Sequence, residues 1–226
     1  MIGPLPVRFP GIIFDFDGVL IESEYIGNKH IAEYLTRIGH PTSVEQSMAN
    51  FMGLAGKEFI AAIERWIGGP LPADFHDERA REDARVMEAG IGAVAGAVAF
   101  VSALPADLPI AVASSSSTRW IARHLDHIGL ADRFGGRLFS GREHVVNGKP
   151  APDLYHHAAA ALGLDTRDCA IIEDSPVGAT GAVASGGYVI GLVAGQHCAP
   201  DHGEVLLAKG VSAVARNFQE VARLIA

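Results

Sequence analysis

Gly11-Ile12-Ile13-Phe14-Asp15-Phe16-Asp17-Gly18-Val19-Leu20 is the stretch that decides how this chain is read. An apolar run suited to a buried strand ends in two aspartates one residue apart, and glycine follows at once. Alternation along a strand places Asp15 and Asp17 on the same side, unless the chain has already begun to turn at Gly18. Two carboxylates that close both stay ionised only beside a cation; otherwise one takes a proton. A hard, oxygen-seeking ion such as Mg2+ suits the pair. On its own the motif reads equally well as a solvated pair closing a strand, since short motifs are hypotheses.

The order of features downstream separates the two readings. Leu108-Pro109-Ile110-Ala111-Val112-Ala113 reads as a second buried strand and runs into Ser114-Ser115-Ser116-Ser117. Asn147-Gly148-Lys149-Pro150-Ala151-Pro152-Asp153 comes next, and a third strand, Cys169-Ala170-Ile171-Ile172, ends in Glu173-Asp174-Ser175. A DxD pair, a hydroxyl after a strand, a lysine and an acidic pair after another strand therefore occur in sequence. In this ordered set the chain resembles the haloacid dehalogenase-like superfamily of phosphotransferases, in its branch with a helical cap. Its pattern is closest to the bacterial sugar-phosphate phosphatases, and the resemblance runs over essentially the whole chain.

The spacing of apolar runs agrees with an α/β fold. Runs at 11–14, 108–113, 169–172 and 188–193, with a shorter one at 137–140, alternate with amphipathic or Ala-rich segments. That alternation predicts a Rossmann-like, mostly parallel sheet with helices on both faces. Ligands of such sheets sit beyond the carboxyl ends of the strands, where the DxD, the serine run and the acidic pair all fall. Between residues 23 and 92 the pattern is helical throughout, at 24–38, 44–52, 56–67 and 73–89, with breaks at Gly53 and at Gly68-Gly69-Pro70-Leu71-Pro72. The expected organisation is a catalytic core of residues 1–22 and 93–226 with an inserted all-helical cap, 23–92.

The resemblance implies roles residue by residue. Asp15 is the nucleophile that takes the phosphoryl group. Asp17 is the general acid that protonates the leaving alcohol and then the base that activates water. Mg2+ is held by Asp15, the backbone carbonyl of Asp17, Asp174 and Glu173, the last directly or through water. Ser114 is the phosphate-binding hydroxyl, the amides of Ser115 and Ser116 face the phosphate, and Lys149 offsets anionic charge in the transition state. Gly18 permits the tight turn after the pair. Lys57 in the cap is a candidate for the substrate's polar end, beside Lys29, His30 and Arg37, all of which serve equally as solvated side chains. Glu173-Asp174-Ser175 also reads as an N-cap before Pro176, a role compatible with metal binding. One of the four serines is expected to cap a helix beginning near Thr118.

Dehalogenation is set aside, and two alternatives, a phosphohexomutase and a catalytically silent sugar-phosphate-binding protein, stay open beside hydrolysis. Dehalogenases of the superfamily lack an aspartate at the second motif position, where this chain has Asp17. Mutases of the beta-phosphoglucomutase type place a histidine twelve residues past the nucleophile and a basic pair in the cap loop. Here Gly27, Met52 and Gly56 stand at those positions, with His30 and Lys57 as displaced substitutes. A catalytically silent sugar-phosphate-binding protein would tolerate loss of Asp15 or Asp17; both are present, although binding a phosphate also needs the pocket. The expected activity is thus a Mg2+-dependent phosphatase acting on a small phosphorylated metabolite, a sugar, sugar-acid or polyol phosphate, through an aspartyl phosphate.

Composition fits. The 226 residues are 49% hydrophobic and 19% charged, which is globular rather than disordered, and the net charge of −8 with scattered Lys and Arg disfavours a nucleic-acid surface. Two cysteines, Cys169 and Cys198, make no disulfide framework and no zinc spacing. His197-Cys198 reads as an ordinary loop pair, and Trp66 and Trp120 as packing residues. No leader or apolar span is visible, so the expected setting is the cytoplasm, with no membrane partner and a monomer.

Overall fold

The computed structural model describes residues 5–52, 54 and 56–226. The N-terminal leader reading at Met1–Pro4, and Gly53 and Ala55 of the expected cap loop, lie outside the described residues.

Among the described residues six strands form one sheet: β1 (Gly11–Phe14), β2 (Ile110–Ser114), β3 (Leu138–Ser140), β4 (Cys169–Glu173), β5 (Tyr188–Leu192) and β6 (Ala213–Ala215). Their order is β3-β2-β1-β4-β5-β6, and every neighbouring pair is parallel. The fold is α/β and Rossmann-like. Strands β1, β2 and β4 are buried along their whole length, which is why they read as continuous apolar runs instead of alternating ones. Strand β2 starts two residues later than the apolar run because Pro109 has no amide to give the ladder; its carbonyl still accepts from Ile12 N at 3.1 Å. Strand β6 carries no recognisable run, and pairing with β5 alone makes it a strand.

Residues 23–90 form a compact unit of four helices: α1 (Ser23–Arg37), α2 (Val44–Phe51), α3 (Gly56–Ile67) and α4 (Phe75–Ala89). Ser43 and Gln46 close a capping box at the start of α2. Ile31, Leu35, Phe51, Ile63 and Phe75 fill its core. Trp66 belongs to that core, edge-on to Phe51, with its indole N–H donated to Thr42 Oγ1 at 2.9 Å.

The second unit comprises the residues up to Glu22 together with Ile91–Ala226. It holds the sheet and the helices α5 (Ala97–Ala103), α6 (Thr118–His127), α7 (Ala131–Phe134), α8 (Asp153–Ala161), α9 (Pro176–Ala184), α10 (His202–Ala208) and α11 (Phe218–Ile225). Both faces of the sheet are covered. Ile13, Ala111, Ala113 and Ile171 pack with Leu154, Tyr155 and Ala158 of α8 and Ala179 and Ala182 of α9. Phe14, one residue along β1 and so on the opposite face, meets Phe100 of α5 and Phe134 of α7 edge-on, and Phe100 stacks on Phe218 of α11. Strand order reverses at β1, so the crevice for a ligand lies at the carboxyl ends of β1, β2 and β4.

Candidate active site

Asp15 is positioned by backbone pairing that outlasts β1: its amide donates to Ile172 O at 2.9 Å, bringing the carboxylate alongside the end of β4. Lys149, from the loop before α8, places Nζ 2.7 Å from Asp15 Oδ1 and 2.5 Å from Glu173 Oε1. Tyr155 Oη, in the first turn of α8, lies 2.5 Å from the same Glu173 oxygen and 3.0 Å from the Gly178 carbonyl. Ser175 is the N-cap of α9, its Oγ accepting from Gly178 N at 2.9 Å, so Glu173 and Asp174 are left for the site. Gly178 is there for want of space. A Cβ on it would stand 2.1 Å from Glu173 Oε1.

Electrostatics follow from that crowding. Burial raises the Asp15 carboxyl well above the usual carboxylate range, Glu173, Asp174 and Asp17 add to the rise, and Lys149 opposes it. Burial alone would discharge Lys149, yet Asp15 and Glu173 outweigh it and hold the ammonium well above its ordinary value. Burial, with Glu173 behind it, likewise keeps the Tyr155 phenol protonated. Asp15 thus feels three other carboxylates, while the one ammonium pairs with Asp15 and Glu173, a charge deficit that a divalent cation would offset. Asp15, Glu173 and Asp174 are all buried and offer oxygens within 4.8 Å of one another. This donor set, oxygen only and strongly anionic, fits a hard cation.

Asp17 departs from strand alternation. The chain turns at Gly18, whose φ is 78° and whose amide donates to Ile21 O at 2.9 Å. The Asp17 carboxylate therefore binds on the β2 side. Ser114 Oγ and Ser116 Oγ donate to Oδ2 at 3.1 and 2.7 Å, and Trp120 Nε1 donates to Oδ1 at 3.1 Å. The Ser116 amide closes on Ser114 Oγ at 2.9 Å, Ser115 is exposed, and Ser117 caps α6. Trp120, which reads as a packing residue from sequence, also reaches Asp17; its place in the first turn after the serine run is the available signal. One turn on, His124 packs its ring 4.2 Å from Trp120, and its Nδ1 accepts from the amide of Ile91 at 3.3 Å. Gly18 contributes space as well as a turn, since a Cβ there would lie 2.0 Å from Asp174 Oδ2.

Asp174 is contacted by two histidines from the segment after β5. His197 Nε2 lies 2.9 Å from Asp174 Oδ2, and His202 Nε2 lies 2.6 Å from the Asp174 carbonyl. In the helical unit, Lys57 is exposed in the first turn of α3. His30 is bound to Glu82 at 2.8 Å, Arg37 to Glu78 at 2.8 Å, and Lys29 lies 3.9 Å from Glu33. No helix among the described residues is long and apolar enough to cross a membrane.

A carboxylate cluster, a buried lysine and a hydroxyl-bound second aspartate at the switch point of a parallel sheet form an arrangement suited to phosphoryl transfer. Residues 9–186 match the haloacid dehalogenase-like hydrolase family. The chain belongs to that family and is a phosphatase enzyme within it. It is 32% identical over 190 residues to hexitol phosphatase A of Escherichia coli K12, covering 82% of this chain and 84% of that one. It is 28% identical over 195 residues to the 6-phosphogluconate phosphatase of the same strain, covering 85% and 86%. Among solved structures, a haloacid dehalogenase-like protein from Agrobacterium tumefaciens superposes with a TM-score of 0.86 at 31% identity over 96% of this chain and 97% of that one. A family hydrolase from Deinococcus radiodurans with bound phosphate and sodium gives 0.85 at 30% identity, over 98% and 99%.

Proposed function

We propose that this enzyme hydrolyses the phosphate monoester of a small polyol or sugar acid through an aspartyl phosphate on Asp15, with Mg2+ bound by Asp15, the Asp17 carbonyl, Asp174 and Glu173. The observation that carries the reading is the placement of Asp15 between Lys149 and the acidic end of β4, while Asp17 takes its hydrogen bonds from the opposite side. Two carboxylates one residue apart thereby have separate environments, as separate roles require.

The steps follow from the residues. An Asp15 oxygen attacks phosphorus, the ester P–O bond breaks, and Asp17 gives its proton to the departing alkoxide. Water then attacks the phosphorus of the aspartyl phosphate and passes a proton to Asp17. The acyl–phosphate bond breaks, inorganic phosphate leaves and the Asp15 carboxylate is restored. Lys149 holds the nucleophile in place and balances charge on the transferring group. Bound Mg2+ supplies the remaining positive charge for the phosphoryl oxygens. Ser114 and Ser116 bind the phosphoryl oxygens in exchange for the Asp17 carboxylate they hold in this structure.

The substrate class rests on the two curated relatives, which are named for hexitol phosphates and for 6-phosphogluconate. Hydrolysis is favoured over mutation of a hexose phosphate because His30, the displaced substitute for the mutase histidine, is bound to Glu82. The test is phosphate release from hexitol phosphates, 6-phosphogluconate and beta-glucose 1-phosphate, with Mg2+ and with chelator. Mg2+-dependent release, absent in Asp15→Asn, is expected, along with a hydroxylamine-sensitive phosphoryl label on the wild-type protein. Conversion of beta-glucose 1-phosphate to glucose 6-phosphate without release overturns the hydrolytic reading.

A further inference from the structure

The segment after β5 reads Val193-Ala194-Gly195-Gln196-His197-Cys198-Ala199-Pro200-Asp201-His202, and the proposed chemistry uses none of it. We propose that His197 and His202 are positioning residues for Asp174, a two-histidine clamp that sets this carboxylate for the divalent cation. The proposal rests on the reading of Asp174 as a metal ligand.

Four observations converge on it. His197 is 4% exposed, and its Nε2 contacts the carboxylate of Asp174 at 2.9 Å. His202, the first residue of α10, contacts the main chain of the same aspartate at 2.6 Å, and because a carbonyl only accepts, its Nε2 is the donor. Side chain and backbone of one residue are thus gripped from two points five residues apart. The imidazole of His197 sits in a slot made by two glycines. A Cβ on Gly195 would come within 2.5 Å of Nδ1 and Cε1, and one on Gly18 within 2.8 Å of Cε1. Finally, the loop is tied down independently of Asp174: the Gln196 amide donates to Glu22 Oε2 at 3.0 Å.

Topology explains why this segment is used. Strand β5 lies parallel to β4, so its carboxyl end delivers the following loop to the edge where Glu173 and Asp174 emerge. An aspartate beside Asp15 and Glu173 is repelled by both, and a hydrogen bond to one of its oxygens holds the rotamer that repulsion disfavours. Outer partners of this kind typically change metal affinity by about 10–100-fold. His197, Cys198 and His202 also stand close enough together to hold a soft metal ion, with Cys198 Sγ 3.4 Å from His197 Nε2. Both Nε2 atoms are directed at Asp174 instead, and burial, then Asp174, pushes the Cys198 thiol up to about 12, away from thiolate.

The test is calorimetric Mg2+ binding to the metal-free protein without substrate, so turnover plays no part. His197→Leu removes the donor and is expected to weaken Mg2+ binding about 10–100-fold. His197→Gln, whose amide reaches the same position as Nε2, is expected to regain most of it, and Cys198→Ser to leave it unchanged. His202→Leu is the parallel variant should His197→Leu not fold, with the same weakening expected. Wild-type affinity in the leucine variants, with Asp174→Asn binding no Mg2+, overturns the clamp and leaves the metal reading standing. A wild-type protein that binds no Mg2+ overturns both. One equivalent of Zn2+ bound by the wild type and lost in Cys198→Ser, with Mg2+ affinity untouched by His197→Leu, replaces the clamp with a soft-metal site.

Discussion

At the scale of single residues, the two aspartates of the DxD pair are separated by what each touches. Asp15 is crowded by like charge, so removing its charge should relieve the metal-free protein and, on the proposed mechanism, end catalysis. Asp15→Asn is expected to abolish phosphate release while raising the thermal midpoint measured in chelator; Glu173 still pairs with Lys149. Loss of midpoint in chelator would mean that the Lys149–Asp15 contact outweighs the repulsion. Asp17 depends on Trp120. Trp120→Phe keeps the ring and deletes one donor to a carboxylate, a bond class with a net value of about 1.5–3 kcal/mol. A fall in kcat of about tenfold or more with KM unchanged is expected, because the indole touches Asp17, the proposed acid–base group. A rise in KM at constant kcat would assign Trp120 to substrate packing instead.

At the scale of elements, helix starts carry the site. Ser175 caps α9 and Gly178 lets that first turn lie against Glu173. Gly178→Ala forces a methyl into a carboxylate already held by Lys149 and Tyr155, so about 1–3 kcal/mol of stability is expected to go, read as a lower urea midpoint. Helix α6 has a titratable tie of its own. Burial lowers the His124 pKa from 6.5, opposed by the charge of Asp17, and the ring accepts from Ile91 N only while neutral. A group whose folded pKa is depressed binds fewer protons folded than unfolded. Its stabilising contribution is complete above 6.5 and is lost as pH falls through the folded value. His124→Gln is expected to flatten the fall in stability below pH 6.5 relative to wild type, measured by urea unfolding across that range. Parallel slopes would show that the tie does not titrate.

At the scale of the whole molecule, the anionic site carries a charge deficit that a bound cation would relieve. Mg2+ at about 100 times its dissociation constant stabilises the folded protein by about 2.7 kcal/mol. For a chain of this length that is a rise of about 5–10 °C in thermal midpoint. The rise is expected in the wild type, to be reversed by chelator, and to be absent in Asp174→Asn. An equal rise in Asp174→Asn would place the ion elsewhere.

How much was legible from residues alone differs along the chain. The strands β1, β2 and β4 and the four helices of residues 23–90 could be read directly, because full burial leaves apolar runs and helix faces leave a 3.6-residue period. Strand β6 could not, since Ala213-Val214-Ala215 becomes a strand only through the ladder that β5 offers. Chemistry divides the same way. Asp15, Asp17, Ser114, Lys149, Glu173 and Asp174 stand in the order that carries the family resemblance before any coordinate is known. Trp120, His197 and His202 do not, because their partners are 103, 23 and 28 positions away, and a hydrogen bond between distant residues leaves no local periodicity. By itself the sequence determined the sheet's inner strands, the helical insertion and the acidic and basic groups at the strand ends. The tertiary structure alone decided which side each DxD carboxylate faces and which aromatic and imidazole groups hold them, because parallel pairing and close glycine packing bring those groups together only after the chain has folded.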